Sequence, residues 1–165
     1  MPASHPERGP GSPTVKHVGP WARAGLVALF EALLAAGDEP QFHPHPLTAS
    51  QADRICSYRG LDEYHVAVND GVIVGYGMLR GWGEGHAVPS LGIAVHPEHR
   101  HRGIGRLIME ALHQAARARG AAQVRLRVRS DNEVAINLYR SLGYELAGHE
   151  RGQLVLLLDL RSRLR

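Results

Sequence analysis

The sequence predicts a single α/β domain built on a mixed, mostly antiparallel sheet that is flanked by helices. Two pairs of strand-like segments, joined at Asn69-Asp70-Gly71 and at Arg151-Gly152, predict the antiparallel parts. Between them, amphipathic helical segments alternate with strand-like ones, which predicts a strand-helix-strand unit. With 165 residues, 44% of them apolar, the chain is long enough for one substantial core and too short for two ordinary domains.

Composition narrows the class of protein further. Residues 1–19 are rich in Pro, Gly, Ser and His and show no periodicity, so we expect a flexible leader followed by one domain over 20–160. Cys56 has no partner for an internal disulfide, which favours a reducing compartment. The chain shows neither a secretory signal nor an apolar stretch of bilayer length, so we expect a cytoplasmic protein without a membrane partner.

The charge balance bears on possible partners. Lys and Arg number 19 against 16 Asp and Glu, and nearly all of the basic residues are arginines. The chain contains no basic block with interleaved aromatic residues, so we predict no nucleic-acid partner. A phosphorylated cofactor accounts for the small basic excess.

The amino-terminal half predicts two helices and three strands. Apolar residues recur at helical spacing from Trp21 to Gly37, and prolines interrupt regular structure over 38–47. Thr48 is suited to cap a second short helix that ends near residue 58. The segments 64–68 and 72–78 are rich in β-formers and form the first hairpin, and a third antiparallel strand is predicted over 87–95.

The carboxy-terminal half predicts a helix, a strand, a second helix and a hairpin. The first helix has an apolar face with i, i+3, i+4, i+7 spacing over 104–120. Valine and leucine alternate with arginine over 124–129, as in a strand with one apolar face. Ser130 and Glu133 are spaced as a capping box for a helix that reaches Leu142, and 144–149 with 153–160 form the final hairpin.

The junction between the third strand and the following helix is suited to a polyphosphate. It reads Arg100-His101-Arg102-Gly103-Ile104-Gly105. Glycines allow the backbone to approach a ligand closely, and the free amides and positive dipole end of a helix attract anions. For a lone G-x-G a flexible strand-helix turn is the favoured explanation, so the downstream sequence decides between the two interpretations.

That downstream sequence contains Asn132, Ala135, Tyr139, Gly143 and Tyr144. Together with Arg100-x-x-Gly103-x-Gly105, this spacing resembles the GCN5-related N-acetyltransferase (GNAT) family over roughly residues 64–149. The resemblance implies splayed central strands and acetyl-CoA, as co-substrate, in the gap between them. It says very little about the acceptor. The chain has no cluster of cysteines that is typical of a zinc site, so we expect no metal.

The resemblance also implies which residues contact acetyl-CoA. The pantetheine arm would pair with the strand end at Ile93, Ala94 and Val95. The pyrophosphate would lie on the backbone amides of His101, Arg102, Gly103, Ile104, Gly105 and Arg106. Asn132 matches the family position that bonds pantetheine, although it is also well suited to cap a helix. The side chains of Arg102 and Arg106 either add charge to this site or are solvated.

Transfer of an acetyl group needs a base and an acid. An amine with a pKa of about 10.4 is under roughly 0.1% neutral at pH 7, so a base must take its proton. Tyr139 matches the family position for the acid that protonates the leaving thiolate, and the alternative is a core tyrosine. Glu84 and His86 are the candidate bases, and the alternative is that they are exposed turn residues.

Two features of the sequence bear on the acceptor site: a departure from the family pattern and a loop that lines the acceptor pocket in relatives. Some relatives that acetylate protein N-termini carry a glutamate five residues before the motif asparagine, where this chain has Arg127. Arg127 and Arg80 suggest a carboxylate or phosphate on the acceptor. His43 and His45 lie on a loop that lines the acceptor pocket in relatives. Their His-x-His spacing also suggests a metal, but a third ligand is not apparent.

The predicted function is therefore transfer of acetyl from acetyl-CoA to a primary amine of a small molecule, by direct attack in a ternary complex. Acetylation of protein N-termini or lysines remains open. Two further alternatives are a non-catalytic acyl-CoA sensor and a nucleotide or nucleic-acid binder that uses the basic junction. We expect a monomer or a homodimer.

Overall fold

A computed structural model describes residues 11–38 and 44–161, which form a sheet with helices on both faces. The strands of the described residues are β1 (Thr14–His17), β2 (Glu63–Asn69), β3 (Val72–Arg80), β4 (Ser90–Val95), β5 (Gln123–Val128), β6 (Glu145–Glu150) and β7 (Gln153–Asp159). The helices are α1 (Arg23–Ala35), α2 (Ala49–Cys56), α3 (Ile104–Ala118) and α4 (Glu133–Ser141). The strand order is β1-β2-β3-β4-β5-β7-β6, and only β4 and β5 are parallel neighbours. The mixed, mostly antiparallel α/β fold is thus confirmed.

Both predicted hairpins are present. Asp70 and Gly71 have φ angles of 48° and 78°, and Arg151 and Gly152 have 51° and 78°. Two consecutive positive φ angles match the twist that a two-residue turn needs between antiparallel strands. In the second hairpin the returning strand β7 lies between β5 and β6, so the hairpin adds both strands to the β5 edge.

The assignment of residues 1–19 to a leader outside the domain is wrong for its last part. Thr14–His17 pairs antiparallel with β2, with Thr14 opposite Val68 and His17 opposite His65. Val15 packs against the core. A four-residue strand is too short to show a clear alternation, and its pairing depends on backbone groups that composition does not report. Residues 1–10 lie outside the described part.

Two apolar clusters hold the helices on opposite faces of the sheet. One cluster joins α3 and α4 to β4, β5 and β7, and the other joins α1 and α2 to β2 and β3 around Tyr76. The helix α3 lies very close to β3, because a Cβ at Gly77 would be 2.5 Å from Ile108 Cγ2. Among residues 11–38 and 44–161, no helix combines the length and apolar character needed to cross a bilayer.

Of the two predicted helix caps, the one for α2 is confirmed and the one for α4 is wrong. Thr48 caps α2 as predicted, since its Oγ1 accepts a hydrogen bond from Gln51 N at 3.1 Å. The predicted Ser130–Glu133 capping box is wrong, because Asn132 is the N-cap of α4 and its Oδ1 accepts from Ala135 N at 3.2 Å. An asparagine directly before the helix provides the same acceptor two residues later than Ser130. The central strand also begins at Ser90, three residues later than predicted.

Candidate active site

The two parallel strands at the centre of the sheet separate from each other. The strand β4 pairs with β3 along its whole length, from Ser90 opposite Arg80 to Val95 opposite Gly75. Its ladder to β5 is confined to Ser90 opposite Arg125, where Arg125 N donates to Pro89 O at 3.0 Å. Backbone groups on the β5 side of residues 91–95 therefore border a gap. Such groups can hydrogen-bond to an extended ligand as a neighbouring strand would.

The start of α3 lies beside this gap. Gly103, its N-cap, has a φ of 77° and provides no side-chain cap, so the first-turn amides of Ile104, Gly105 and Arg106 are not capped by a side chain. A Cβ added at Gly105 would lie 3.4 Å from Leu138 Cδ2 and 3.7 Å from Val95 Cγ2. Uncapped amides and the positive end of the helix dipole favour an anion at this position.

Arginines around this junction connect it to its surroundings. Arg100 donates to Val95 O at 3.3 Å and pairs with Asp38 at 2.5 Å, which joins the end of β4 to the chain after α1. Arg106 donates to Ser141 Oγ at 2.6 Å and so links α3 to the end of α4. Arg102 is exposed, with its Nη1 3.4 Å from the His99 ring. The contacts with Asp38 and Ser141 join residues far apart in the chain and could not be predicted from the sequence.

A cleft of about 720 Å³ opens at the β4–β5 gap and brings together several of the predicted site residues. It is lined by Arg80, Glu84, His86, Ile93, Arg127 and Tyr139. Arg125 and Arg151 also line it, and the sequence analysis did not select them as site residues. The alternation of arginine with apolar residues over 124–129 was the available signal for Arg125, because it places that residue on the same strand face as Arg127.

Tyr139 lies on α4, buried in the apolar cluster beneath the sheet, and also borders the cleft. Its ring centroid is 5.9 Å from that of Tyr144. Burial raises the pKa of Tyr139 to about 12. The phenol therefore keeps its proton at neutral pH and can act as a hydrogen-bond or proton donor toward the cleft.

Glu84 and His86 lie on the turn that follows β3. Asp62 supports this turn, since its Oδ1 accepts from Gly81 N at 3.1 Å and from Gly83 N at 3.0 Å. Glu84 Oε2 lies 3.6 Å from His86 Nε2, and their side chains are 75% and 66% exposed. The two groups are thus near each other, open to water and on the wall of the cleft, where proton exchange with solvent is easy.

The wall of the cleft that β5 and the β6–β7 turn form is basic, because Arg125, Arg127 and Arg151 line it. Arg125 Nη2 lies 2.5 Å from Glu150 Oε2, and Arg127 Nη1 lies 3.9 Å from Glu150 Oε1. The hydrogen bond and charge of Arg125 lower the pKa of Glu150. Arg80 donates to the carbonyl of Pro44 at 2.7 Å. Because a carbonyl is uncharged, this contact does not neutralise Arg80. The lining thus contains four arginines and one glutamate, Glu84, so the cleft favours a negatively charged ligand.

His45 lies in the core instead of the cleft, contrary to its assignment to the acceptor site. Its side chain is buried beside Phe30 and Tyr76, with Nδ1 2.8 Å from Pro46 O and Nε2 3.1 Å from Tyr76 OH. Because a carbonyl only accepts, these contacts assign the proton to Nδ1 of a neutral ring. Pro44, two residues earlier, does line the cleft, and His43 lies outside the described residues.

Because His45 is buried, we expect the protein to be less stable in acid. Burial lowers the pKa of His45, with a smaller contribution from Arg80. The unfolded ring, with a pKa of about 6.5, binds a proton more readily, so the free energy of unfolding should fall as the pH drops below about 6.5. Burial also lowers the pKa of His65, which adds to this loss. Urea unfolding of His45→Gln should show a smaller difference between pH 7.5 and pH 5 than the wild type, and an equal difference would contradict this assignment.

Cys56 ends α2 inside the apolar cluster beneath α1. Burial raises the pKa of its thiol. A buried, protonated thiol is a poor nucleophile.

Comparison with known proteins identifies the family to which this chain belongs. Residues 28–144 match the model of the acetyltransferase (GNAT) family. Acetyltransferase SG1711 of Sodalis glossinidius is 35% identical over 85 residues, which are 52% of this chain and 58% of that protein. The chain thus spans little more than half the length of this relative.

Solved structures agree on the fold. The GNAT domain of S. lividans PAT superposes with a TM-score of 0.79 at 19% identity, covering 90% of this chain and 91% of that one. The PaiA N-acetyltransferase of Thermoplasma acidophilum, solved with coenzyme A, gives 0.73 at 14% identity, covering 90% and 99%. The family model covers well over half of the chain, and the fold is the same. The chain therefore belongs to the acetyltransferase (GNAT) family.

Proposed function

We propose that this protein transfers the acetyl group of acetyl-CoA to a primary amine on a small, negatively charged molecule, by direct attack in a ternary complex. The observation that carries the proposal is the cleft at the β4–β5 gap, which Tyr139 and four arginines line together. The family membership supports acetyl-CoA as the donor, because relatives that share this fold include one solved with coenzyme A and one with acetyl-CoA.

The residues around the gap fit coenzyme A in two respects. The backbone of Ile93, Ala94 and Val95 borders the open side of β4, which suits an amide-containing arm that pairs like a strand. The uncapped start of α3 suits a pyrophosphate. His101 and Gly103 have φ angles of 62° and 77°. Left-handed residues in a turn favour anion-binding concavities of backbone amides, so we propose that the amides of His101 and Arg102 also contact the pyrophosphate. Asn132 caps α4, and we propose that its side chain also faces the pantetheine arm.

The proton transfers are assigned to the side chains of the cleft. Acetyl-CoA supplies an activated acetyl thioester. The pair Glu84 and His86 takes the proton of the acceptor amine, directly or through water, so that a neutral amine attacks. Tyr139 donates its phenolic proton to the leaving sulfur and regains one from solvent. Its raised pKa keeps the phenol protonated, and therefore able to donate, at the pH of the reaction.

The arginines select the acceptor. Arg125 is already paired closely with Glu150, whereas Arg127 is 3.9 Å from the same carboxylate and has donors available for a ligand. Arg151 lies on the adjoining turn and borders the same cleft. A carboxylate or phosphate on the acceptor would meet a planar guanidinium that can form two parallel hydrogen bonds. An acceptor that carries one of these groups close to its amine matches both the basic wall and the proton-accepting pair.

Arg127→Gln should raise the KM for an anionic amine about tenfold or more, because a charge-assisted hydrogen bond is worth about 1.5–3 kcal/mol. The KM for a neutral amine should change little. Arg129→Gln is the matched control, since Arg129 lies two residues further along, pairs with Asp131 and is outside the cleft lining. Equal effects of Arg127→Gln on anionic and neutral amines would argue against an anionic acceptor.

The proposed activity is tested by following release of free coenzyme A with a panel of amines. The panel contains amino acids, amino-sugar phosphates, neutral amines, and peptides with free N-termini or lysines. Preferential turnover of the anionic small molecules supports the proposal. Preference for peptides would identify a protein acetyltransferase, and acetyl-CoA binding without turnover of any amine would identify a sensor.

A further inference from the structure

Three metal-binding side chains converge at the outer edge of the sheet, on the strands β1 and β2. His17 and His65 lie directly opposite each other in the β1–β2 ladder, and their ring centroids are 4.2 Å apart. Glu63 precedes His65 by two residues and so lies on the same face of β2. Glu63 Oε2 is 2.9 Å from His65 Nε2 and 3.4 Å from His17 Nδ1, and the three ligand atoms all lie within 4.8 Å of one another.

These separations are close to those of a zinc site. Zinc binds imidazole nitrogen and carboxylate oxygen at about 2.0–2.2 Å, so ligand atoms of a tetrahedral site are about 3.3–3.6 Å apart. The two distances from Glu63 already approach this range. Two imidazoles with one carboxylate are also a ligand set that zinc favours in proteins.

The second carboxylate oxygen of Glu63 is held by an arginine. Arg119 Nη1 lies 3.4 Å from Glu63 Oε1, and the same Arg119 nitrogen donates to the carbonyl of Leu61. The guanidinium also lies over the ring of Trp82, 4.2 Å from its centroid. Arg119 thereby orients Glu63 with its other oxygen toward the two histidines, as outer-shell partners do in metal sites. Its positive charge opposes the bound cation and lowers the affinity that three ligands would otherwise provide.

We propose that His17, Glu63 and His65 bind one Zn²⁺ ion, which fastens the edge strand β1 to β2. The side chain of His17 is 74% exposed, so water can complete the coordination. The ligands come from two segments separated by α1 and α2, and the segment between those helices contains Pro44 of the cleft wall. The ion would therefore tie together the two ends of the helical segment that covers this face of the sheet. The site is structural and independent of acetyl transfer.

Zinc titration of the untagged full-length chain tests the proposal. Zinc content after equilibrium dialysis should reach one ion per chain at this site, and zinc should raise the melting temperature. His17→Ala should weaken this binding by more than the roughly 10- to 100-fold range that loss of an outer-shell partner costs. It should also abolish the rise in melting temperature. His149→Ala, which removes another exposed histidine, is the matched control and should behave like the wild type.

Glu63→Gln is the second variant, and it should weaken zinc binding while keeping the side-chain size. Circular dichroism and the rate of acetyl transfer show whether each variant is folded. If His17→Ala and Glu63→Gln bind zinc as tightly as the wild type, the ion lies on other histidines and the proposal is overturned. A wild-type chain that binds zinc no more tightly than folded His17→Ala overturns it as well.

Discussion

Tyr139→Phe is expected to lower the turnover number about 10²- to 10⁴-fold, the range that a positioned acid contributes. The variant keeps the ring that packs in the apolar cluster and removes only the hydroxyl of this cleft-lining residue. The dissociation constant of acetyl-CoA should remain unchanged, because the proposed contacts of coenzyme A are with β4 and the start of α3. With a pKa of about 12, Tyr139 should also contribute no loss of activity at any pH below about 10.

Steady-state kinetics and calorimetry with acetyl-CoA measure the two quantities separately. Tyr144→Phe is the matched control, because Tyr144 is the neighbouring aromatic ring and its hydroxyl lies 2.7 Å from His113 Nε2, within the core. We expect that control to lose about 1–3 kcal/mol of stability, because buried His113 loses a hydrogen-bond partner, and to retain its turnover number. A Tyr139→Phe variant with wild-type turnover would remove this residue from the mechanism.

Gly105→Asp is expected to raise the dissociation constant of acetyl-CoA at least about tenfold, which corresponds to about 1.4 kcal/mol. Gly105 is the second residue of α3, and its Cα faces Val95 and Leu138 at the β4–β5 gap. A carboxylate at this position would compete for the first-turn amides and repel the diphosphate. The fold should remain stable, since a new Cβ would make ordinary contacts and an acidic residue suits a helix start.

Calorimetric titration with coenzyme A measures this effect, and Gly105→Asn separates charge from size. The asparagine variant should lie between the wild type and Gly105→Asp. If the two variants weaken binding equally, size accounts for the effect. If the dissociation constant is unchanged in Gly105→Asp, coenzyme A does not bind at the start of α3.

Much of the fold could be predicted because its signals are local. The hairpin turn at Asp70 and Gly71 depends on φ angles that its own residues prefer, and α3 depends on the spacing of its own apolar side chains. The strand β1 gave no such signal. Its four residues lie in the sheet because they pair with β2 residues that come 48 to 54 positions later in the chain, beyond the reach of any local pattern.

The residues of the candidate site likewise include some that the sequence could predict and some that it could not. The residues Gly105, Asn132 and Tyr139 could be selected from motif spacing, and Tyr139 lines the cleft. His45 could not be placed, because its burial depends on Tyr76 from a different strand. The pairing of Glu150 with Arg125 could not be predicted either, because it depends on the strand order β5-β7-β6. The local sequence around neither residue specifies that order.

The order of helices and strands, the glycine-rich helix start and the choice of Tyr139 could all be read from the chain. Each of these depends on residues that are neighbours along the chain or share one helix face. Only the folded structure shows that four arginines line one cleft, that His45 belongs to the core and that His17 lies opposite His65. Those contacts join segments far apart in the chain, and their distances are set by the strand order and packing of the whole sheet.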